Sequence, residues 1–178
     1  MSIRRVVTIK NASGKSVVAS DGPSPAARAL QHTPGFVSVP LWFTGAPARR
    51  ARDASDPTSA FETLVPETGG TSFMIVAFPP DSVMMSPDWN PAVAVPEMLE
   101  ATPGIAHAME PDNPGMHTTQ SVDYGIVLDG EVWLELDDGE TVHLKQHEVV
   151  VQNGARHAWR NKGDKPVTMA FVLIGAAA

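Results

Sequence analysis

Residues 117–130, HTTQSVDYGIVLDG, carry the pattern that decides the fold. Asp129-Gly130 is a two-residue turn of the kind that joins the strands of a β-hairpin. Side chains on a strand point alternately to its two faces. If the strand is unbroken back to residue 117, then His117, Thr119 and Asp123 share one face.

Strand signals continue at close spacing to the end of the chain. They are short runs of β-forming residues bounded by turn residues. The predicted strands are 122–128, 131–136, 141–144, 148–152, 157–160 and 167–174. Several short strands with turns between them are typical of an antiparallel sandwich or barrel. The sequence therefore predicts an all-β protein.

The first third of the chain is divided by prolines, which exclude long helices but not short strands. The predicted strands here are 4–9, 16–19 and an edge strand at 36–43, followed by the apolar run 72–78. We expect residues 1–70 to supply strands and loops that pack on a barrel formed by residues 71–178, as one structural domain.

An insertion of different character occupies about residues 81–115. It contains a predicted helix at 91–101, with Asp88 or Asn90 available as N-cap and Pro91 suited to the first turn. A helix inserted between strands can be a lid over a pocket mouth or a packing element on the outside. The sequence leaves both alternatives open.

The stretch 117–130 resembles the first motif of the cupin superfamily, G-x5-H-x-H-x3–4-E-x6-G. His117 takes the first histidine position, Asp123 the glutamate position and Gly130 the closing glycine, while Thr119 replaces the second histidine. The resemblance implies a cupin-type antiparallel β-barrel or jelly roll with extra N-terminal strands and a short helical insertion.

A second stretch, 152–161, QNGARHAWRN, is similar to the second cupin motif, G-x5-P-x-G-x2-H-x3-N. Gly154, His157 and Asn161 match it, and Gln152 stands where proline is common. The two motifs agree in order and spacing over about residues 116–174. With the replacements they look like a subgroup of small bacterial and fungal cupins whose members mostly lack an assigned reaction.

The resemblance implies a divalent metal held by His117, Asp123 and His157. Two imidazoles and a carboxylate can bind one face of such an ion and leave positions open for water and substrate. Fe, Mn, Zn or Ni would suit these ligands. The alternative is a metal-free pocket in which both histidines hydrogen-bond to Asp123.

Four further residues are predicted at the pocket. The Thr119 hydroxyl could orient a metal-bound water, and Trp159 shares a face with His157 as an aromatic wall. Asn161 lies on that face, and His107 precedes the first motif closely enough to reach the pocket mouth.

Composition excludes several function classes. The net charge of −7 argues against a nucleic-acid partner, and the absence of cysteine excludes disulfides and thiolate ligands. No apolar run approaches the roughly 20 residues of a membrane span, and no secretory signal follows the basic start. These features predict a cytoplasmic protein without a membrane partner.

The uneven distribution of charge along the chain and an apolar outer sheet face also predict self-association. Residues 1–60 carry eight Lys and Arg against three Asp and Glu, whereas the remainder carries five against seventeen. Tyr124, Ile126, Leu128 and Trp133 fall on the face opposite the metal. We expect N-terminal strands, a second subunit of a homodimer, or both, to cover that face.

Two functions are consistent with these features. The first is a metal-dependent cupin enzyme acting on a small oxygen-chelating molecule, as a dioxygenase, decarboxylase, dehydratase or isomerase. The second is a non-catalytic cupin that binds a small molecule without a functional metal. No output domain accompanies the barrel, which favours the enzyme.

Overall fold

Antiparallel strands dominate the computed structural model, which describes residues 2–51 and 53–177. The strands are β1 (Arg4–Lys10), β2 (Ser16–Pro23), β3 (Arg28–Ala29), β4 (Val37–Thr44), β5 (Thr71–Phe78), β6 (Met109–Glu110), β7 (Asn113–His117), β8 (Ser121–Asp129), β9 (Glu131–Glu135), β10 (Thr141–Lys145), β11 (Val149–Asn153), β12 (Ala158–Arg160) and β13 (Val167–Gly175). The helices are α1 (Asp81–Met84) and α2 (Pro91–Ala101), with short 3-10 turns at Pro57–Ser59, Ala106–Ala108 and Asp137–Gly139.

Two sheets form the body of the fold. The larger has six strands in the order β11-β8-β13-β5-β4-β3, and the smaller has three in the order β10-β9-β12. Strands β6 and β7 form a separate pair, and β1 and β2 form a hairpin of their own. The predicted all-β fold with antiparallel sheets, N-terminal strands and a short helix is confirmed.

The main core lies between the two sheets. Every second residue of β8 and β13 points inward, as the two-residue period of a strand requires. The buried set from both sheets comprises Met74, Val76, Val127, Val132, Leu134, Leu144, Met169, Phe171 and Leu173. The outward residues Tyr124, Ile126 and Leu128 are exposed.

The N-terminal segment is part of this architecture. Strand β4 hydrogen-bonds directly to β5, and β3 rather than β4 forms the sheet edge. The expectation of an edge strand at 36–43 is therefore corrected. Leu30, Phe36 and Leu64 also belong to the main core.

The β1–β2 hairpin, here called the arm, stands outside both sheets. Its attachment includes Arg5, whose Nη1 donates to the Leu41 carbonyl at 3.0 Å and whose guanidinium pairs with Asp56. Both predicted arm strands are confirmed, and both are longer than expected.

The insertion after β5 packs into the molecule. Helix α2 begins after the N-cap Asn90, whose side chain accepts from the Ala92 N–H, and Pro91 occupies the first turn. Ala101 lies in the main core and Met98 packs against it. The Glu97 carboxylate accepts from the backbone N–H groups of Gln31 and His32. In this structure the helix is therefore a packing element that ties the insertion to the N-terminal segment.

One local expectation about the first motif is corrected. The strand is not continuous from residue 117 to the Asp129-Gly130 turn, because β7 ends at His117 and β8 begins at Ser121. His117 pairs with His157 in an isolated antiparallel bridge, whereas β8 lies in the six-stranded sheet.

Candidate functional site

Backbone pairing brings His117 and His157 together. The His117 N–H donates to the His157 carbonyl, and the His157 N–H to the His117 carbonyl, each at 2.9 Å. The two ring centroids are 4.4 Å apart with the planes inclined by 49°. Both residues are buried, with 7% and 3% of their surface exposed.

Each imidazole is oriented by a backbone carbonyl two residues earlier. His117 Nδ1 lies 2.9 Å from the Gly115 oxygen, and His157 Nδ1 lies 2.8 Å from the Ala155 oxygen. A carbonyl oxygen only accepts, so each Nδ1 carries the hydrogen and donates it. In the neutral ring the lone pair is then on Nε2, which is the arrangement usual for histidines that ligate metals.

Burial keeps both rings neutral near pH 7. Burial and the neighbouring His117 together lower the pKa of His157 to about 4, against the opposing hydrogen bond to the Ala155 carbonyl. Burial also lowers the pKa of His117, although the Gly115 carbonyl and the Asp123 carboxylate oppose the shift. Removal from water disfavours the charged imidazolium in both cases. The pair therefore offers two Nε2 lone pairs at neutral pH.

Asp123 points inward from β8 beside this pair and is held by two hydroxyls. Ser121 Oγ lies 2.6 Å from Oδ1, and Thr119 Oγ1 lies 3.5 Å from Oδ2. The Thr119 and Ser121 hydroxyls are themselves 3.0 Å apart. Burial raises the pKa of Asp123, while the hydrogen bond from Ser121 and the neighbouring His117 act in the opposite direction.

The side chains of His117, His157 and Asp123 are of the types that bind divalent metals. In this structure, however, the three are not arranged around a common point. Two neutral imidazoles and a carboxylate are ligands that Fe, Mn, Zn and Ni accept. Within residues 2–51 and 53–177, however, no group of three or more His, Asp or Glu is arranged to hold an ion. Each imidazole is held at Nδ1 by a backbone carbonyl, whereas the Asp123 carboxylate is engaged by the Ser121 and Thr119 hydroxyls.

Gln152 adds a polar group that the sequence reasoning did not assign to the site. It lies on β11 directly opposite Asp123 and points inward, with 5% of its surface exposed. Its amide Nε2 is buried without a hydrogen-bond partner among the described residues. Strand alternation could have predicted this placement, because Val150 and Gln152 share the inward face of their strand. A polar glutamine on an inward face indicates a site residue.

The other predicted pocket residues divide into two groups. Thr119 lies in the site as described, and Trp159 stands beside His157 with the ring centroids 5.5 Å apart. Asn161 is buried, but its amide donates to the Phe78 and Lys165 carbonyls and accepts from Gly163, so it organises a turn. His107 is exposed and accepts from the Gly104 N–H, apart from the site.

An open groove of about 1170 Å³ lies elsewhere, between the arm and β4. Its lining includes Val7, Lys10, Trp42, Arg49 and Arg50, and none of the predicted site residues. The groove beside the arm is thus in a different part of the molecule from the candidate ligands. We place the site at the histidine pair, because two buried imidazoles lie side by side there and Asp123 is near enough to His117 to affect its pKa.

None of the helices in the described part of the chain is both long enough and apolar enough to span a bilayer.

Comparison with known proteins identifies the domain around this site. Residues 105–174 match the family Cupin_2, the cupin domain. Over 62 residues the chain is 57% identical to the phomopsin biosynthesis cluster protein C' of Diaporthe leptostromiformis, covering 34% of this chain and 33% of that protein. It is 44% identical over 62 residues to the cupin-domain-containing oxidoreductase virC of Hypocrea virens, covering 33% of this chain and 32% of that protein.

The chain thus aligns with about a third of the length of each of these two relatives. Among solved structures, the cupin domain of Schizosaccharomyces pombe Cnp3 aligns with this chain with a TM-score of 0.47 and 10% identity. The alignment covers 98% of this chain and 89% of the Cnp3 chain.

Proposed function

Because this chain carries a cupin domain and belongs to the cupin superfamily, we propose that it is a metal-dependent enzyme of the oxidoreductase type acting on a small oxygen-bearing organic molecule. The observation that carries the proposal is the histidine pair, in which both Nδ1 atoms are tied to backbone carbonyls and both Nε2 atoms are left to bind. The likeness to cupin-domain-containing oxidoreductases supports this reaction class.

Three side chains would hold the metal. His117 and His157 would bind through Nε2, and Asp123 would complete the set once its carboxylate exchanges the Ser121 hydroxyl for the ion. A divalent metal bound there supplies a Lewis acid and, if it is redox-active, a centre for oxygen chemistry. Three ligands would leave positions for two oxygen atoms of the substrate.

The remaining residues would position the substrate and exclude water. The Gln152 Nε2, which has no hydrogen-bond partner among the residues that the structure describes, would suit a carbonyl or carboxylate oxygen. Trp159 supplies an apolar wall beside His157. Such a pocket suits small molecules with an apolar body and a pair of oxygens, such as enols, β-diketones and phenols.

Metal analysis tests the proposal. Protein purified without chelator, then titrated with Fe, Mn, Zn and Ni, is expected to bind about one ion per chain. His117→Ala and His157→Ala should each reduce affinity at least tenfold, because each removes one of three ligands. His143→Ala is the matched control, since the His143 ring stacks on Trp133 at the surface and should leave metal binding unchanged.

A second candidate is a metal-free cupin that binds the same class of molecule. The hydrogen bonds from Ser121 and Thr119 to Asp123 favour it, because they satisfy the carboxylate without an ion. A wild-type protein that binds none of the four metals would exclude the enzyme proposal and leave this one. Oxygen consumption by iron-loaded protein with a panel of phenols and β-diketones then separates oxygen-dependent reactions from the others.

A further inference from the structure

The groove between the arm and β4 has the edge of a strand as one wall. Its lining includes the four consecutive residues 7–10 of β1. Successive side chains of a strand point to opposite faces, so four neighbours line one groove only where the groove follows the edge of the strand. In the described part of the chain, β1 pairs with β2 alone. The wall therefore contains backbone N–H and C=O groups of β1 that have no strand beside them.

A basic loop forms another wall of the groove. Residues 48–51 follow β4 and belong to the lining. The start of the loop is held in place, because the Ala46 N–H donates to the Glu67 carboxylate at 2.9 Å. Arg49 and Arg50 are both exposed. The groove thus has two guanidinium groups within reach of anything that lies along β1.

The cations of the groove lack carboxylate partners. The charged residues in its lining are Lys10, Arg49 and Arg50, and none of them has an ion-pair partner among the described residues. In contrast, Arg4 and Arg5 of the same arm each pair with an aspartate. The whole chain has a net charge of −7, so the groove is a local region of the opposite sign. Such a region attracts anionic groups.

Apolar side chains lie between these cations. Trp42 of β4 lines the groove with Val7 and Ile9 of β1, and all three are half-buried. Trp42 is also paired in register with Phe73, which has 39% of its surface exposed. A simple inorganic anion would leave this apolar floor in water, and a purely apolar molecule would leave the cations without partners. The groove therefore suits a ligand that has both kinds of group.

We propose that the groove binds an extended acidic peptide segment of a partner protein, which adds as a strand to the free edge of β1. The peptide backbone pairs with residues 7–10, its apolar side chains lie on Trp42, and its carboxylates face Arg49 and Arg50. In this mode of recognition, main-chain hydrogen bonds give affinity and alternate side chains give specificity.

The size of the groove favours a peptide over a small metabolite. Its volume is about 1170 Å³, whereas pockets for small molecules usually have about 300–1,000 Å³. The interaction is independent of the proposed metal chemistry, because His117, Asp123 and His157 do not line the groove.

Fluorescence anisotropy with a labelled synthetic peptide tests the charge requirement. The probe is a peptide of about eight residues in which glutamate alternates with valine, long enough to pass along residues 7–10. The full chain is expected to bind it, and to bind the same peptide with lysine in place of glutamate at least tenfold more weakly. A glutamate peptide that remains unbound at about 1 mM protein would overturn the proposal.

Substitutions test whether the groove is the binding site. Arg49→Glu and Arg50→Glu should each raise the dissociation constant of the peptide at least fivefold, because each replaces attraction by repulsion. Arg28→Glu is the matched control, since Arg28 is an exposed arginine on β3 outside the groove lining. It changes the net charge by the same amount and should leave the affinity unchanged. Equal losses in all three variants would show that only the overall charge matters, which contradicts the proposal.

Two measurements test the strand pairing. The same peptide with N-methyl groups on its backbone amides keeps its carboxylates but loses its donors, and is expected to bind at least tenfold more weakly. The unmodified peptide should slow amide hydrogen exchange in residues 7–10. Equal affinity of the methylated peptide, or slowed exchange along β11 in place of β1, would overturn the addition of a strand to the arm.

Competition distinguishes the peptide from other anionic ligands. A short single-stranded oligonucleotide and phenylacetate, a small aromatic carboxylate, are each added to the complex with the labelled peptide. Neither is expected to displace the peptide at equal concentration, because neither offers a peptide backbone to β1. Displacement by the oligonucleotide would assign the groove to nucleic acid, and displacement by phenylacetate would assign it to a small molecule. Either result would contradict the proposal.

Discussion

Among the described residues, no group forms a hydrogen bond with the buried Nε2 of Gln152. A buried donor without a partner loses the hydrogen bonds that water gives it in the unfolded chain, at a loss of about 1–3 kcal/mol. Leucine has nearly the same volume and no polar group. We therefore expect Gln152→Leu to leave the free energy of unfolding unchanged or to raise it by about 1 kcal/mol, as measured by urea denaturation.

Gln146→Leu is the control for this substitution. The Gln146 amide donates to the Leu128 carbonyl at 2.9 Å on the surface, so its loss should lower stability slightly. If Gln152→Leu were the more destabilising of the two, the Gln152 amide would have a partner inside the protein. It would then be unavailable to a ligand, and its role in the proposed pocket would have to be given up.

Several site residues could be predicted from the sequence because motif spacing places them. His117 and His157 are paired and buried, and Asp123 is buried close enough to His117 to oppose the lowering of its pKa. The hydroxyl of Ser121 was not predicted as the partner of Asp123, because a side-chain rotamer decides which oxygen it contacts. His107 is close to the motif in sequence, yet a 3-10 turn directs its ring to the Gly104 backbone. Whether the three candidate ligands bind a metal stays a prediction.

At the scale of elements, an ion pair between Arg5 and Asp56 helps to attach the arm to the rest of the molecule. The Arg5 guanidinium lowers the pKa of Asp56 to about 2, and both side chains are largely buried. Asp56 also accepts from the Thr58 N–H at the start of a 3-10 turn, which asparagine can do as well. Asp56→Asn therefore removes the charge and keeps the cap.

We expect Asp56→Asn to lower the free energy of unfolding by about 1–2 kcal/mol near pH 7. A carboxylate whose pKa is depressed by folding stabilises the protein above its unfolded pKa of 3.8, and this contribution disappears as the pH falls through about 2. The difference between wild type and variant should thus be constant above pH 5 and shrink towards pH 2, as followed by urea titrations. A difference that is independent of pH across this range would contradict the ion-pair explanation.

Elements with strong local signals were predictable. Helix α2 has the predicted bounds because Asn90 and Pro91 specify where it begins, and the turn at Asp129-Gly130 separates β8 from β9 as expected. The break between β7 and β8 was not predictable from alternation alone. It arises because His117 pairs with His157 across the fold, a non-local contact that no short stretch of sequence encodes.

At the scale of the whole molecule, the N-terminal segment and the barrel share one core. Leu64 comes from the segment before β5 and is fully buried, and Leu134 comes from β9; both belong to the main core. The two-motif resemblance covered about residues 116–174 and could not reveal this, because the pairing of β4 with β5 lies outside it. The sequence predicted that residues 1–70 pack on the barrel, and in the structure they contribute two strands, β3 and β4, to the larger sheet.

A shared core predicts that the chain unfolds as one unit. Leu64→Ala and Leu134→Ala each leave a cavity in the same cluster, and each should lower the free energy of unfolding by about 2–5 kcal/mol. Circular dichroism and tryptophan fluorescence should report a single, coincident transition for both variants. Val142→Ala, at a valine that keeps 41% of its surface exposed at the margin of β10, should change stability by less than about 0.5 kcal/mol. If Leu64→Ala instead produced an early partial transition while Leu134→Ala did not, residues 1–70 would be a separate unit. The arm would then be carried by a part of the molecule that can detach from the barrel.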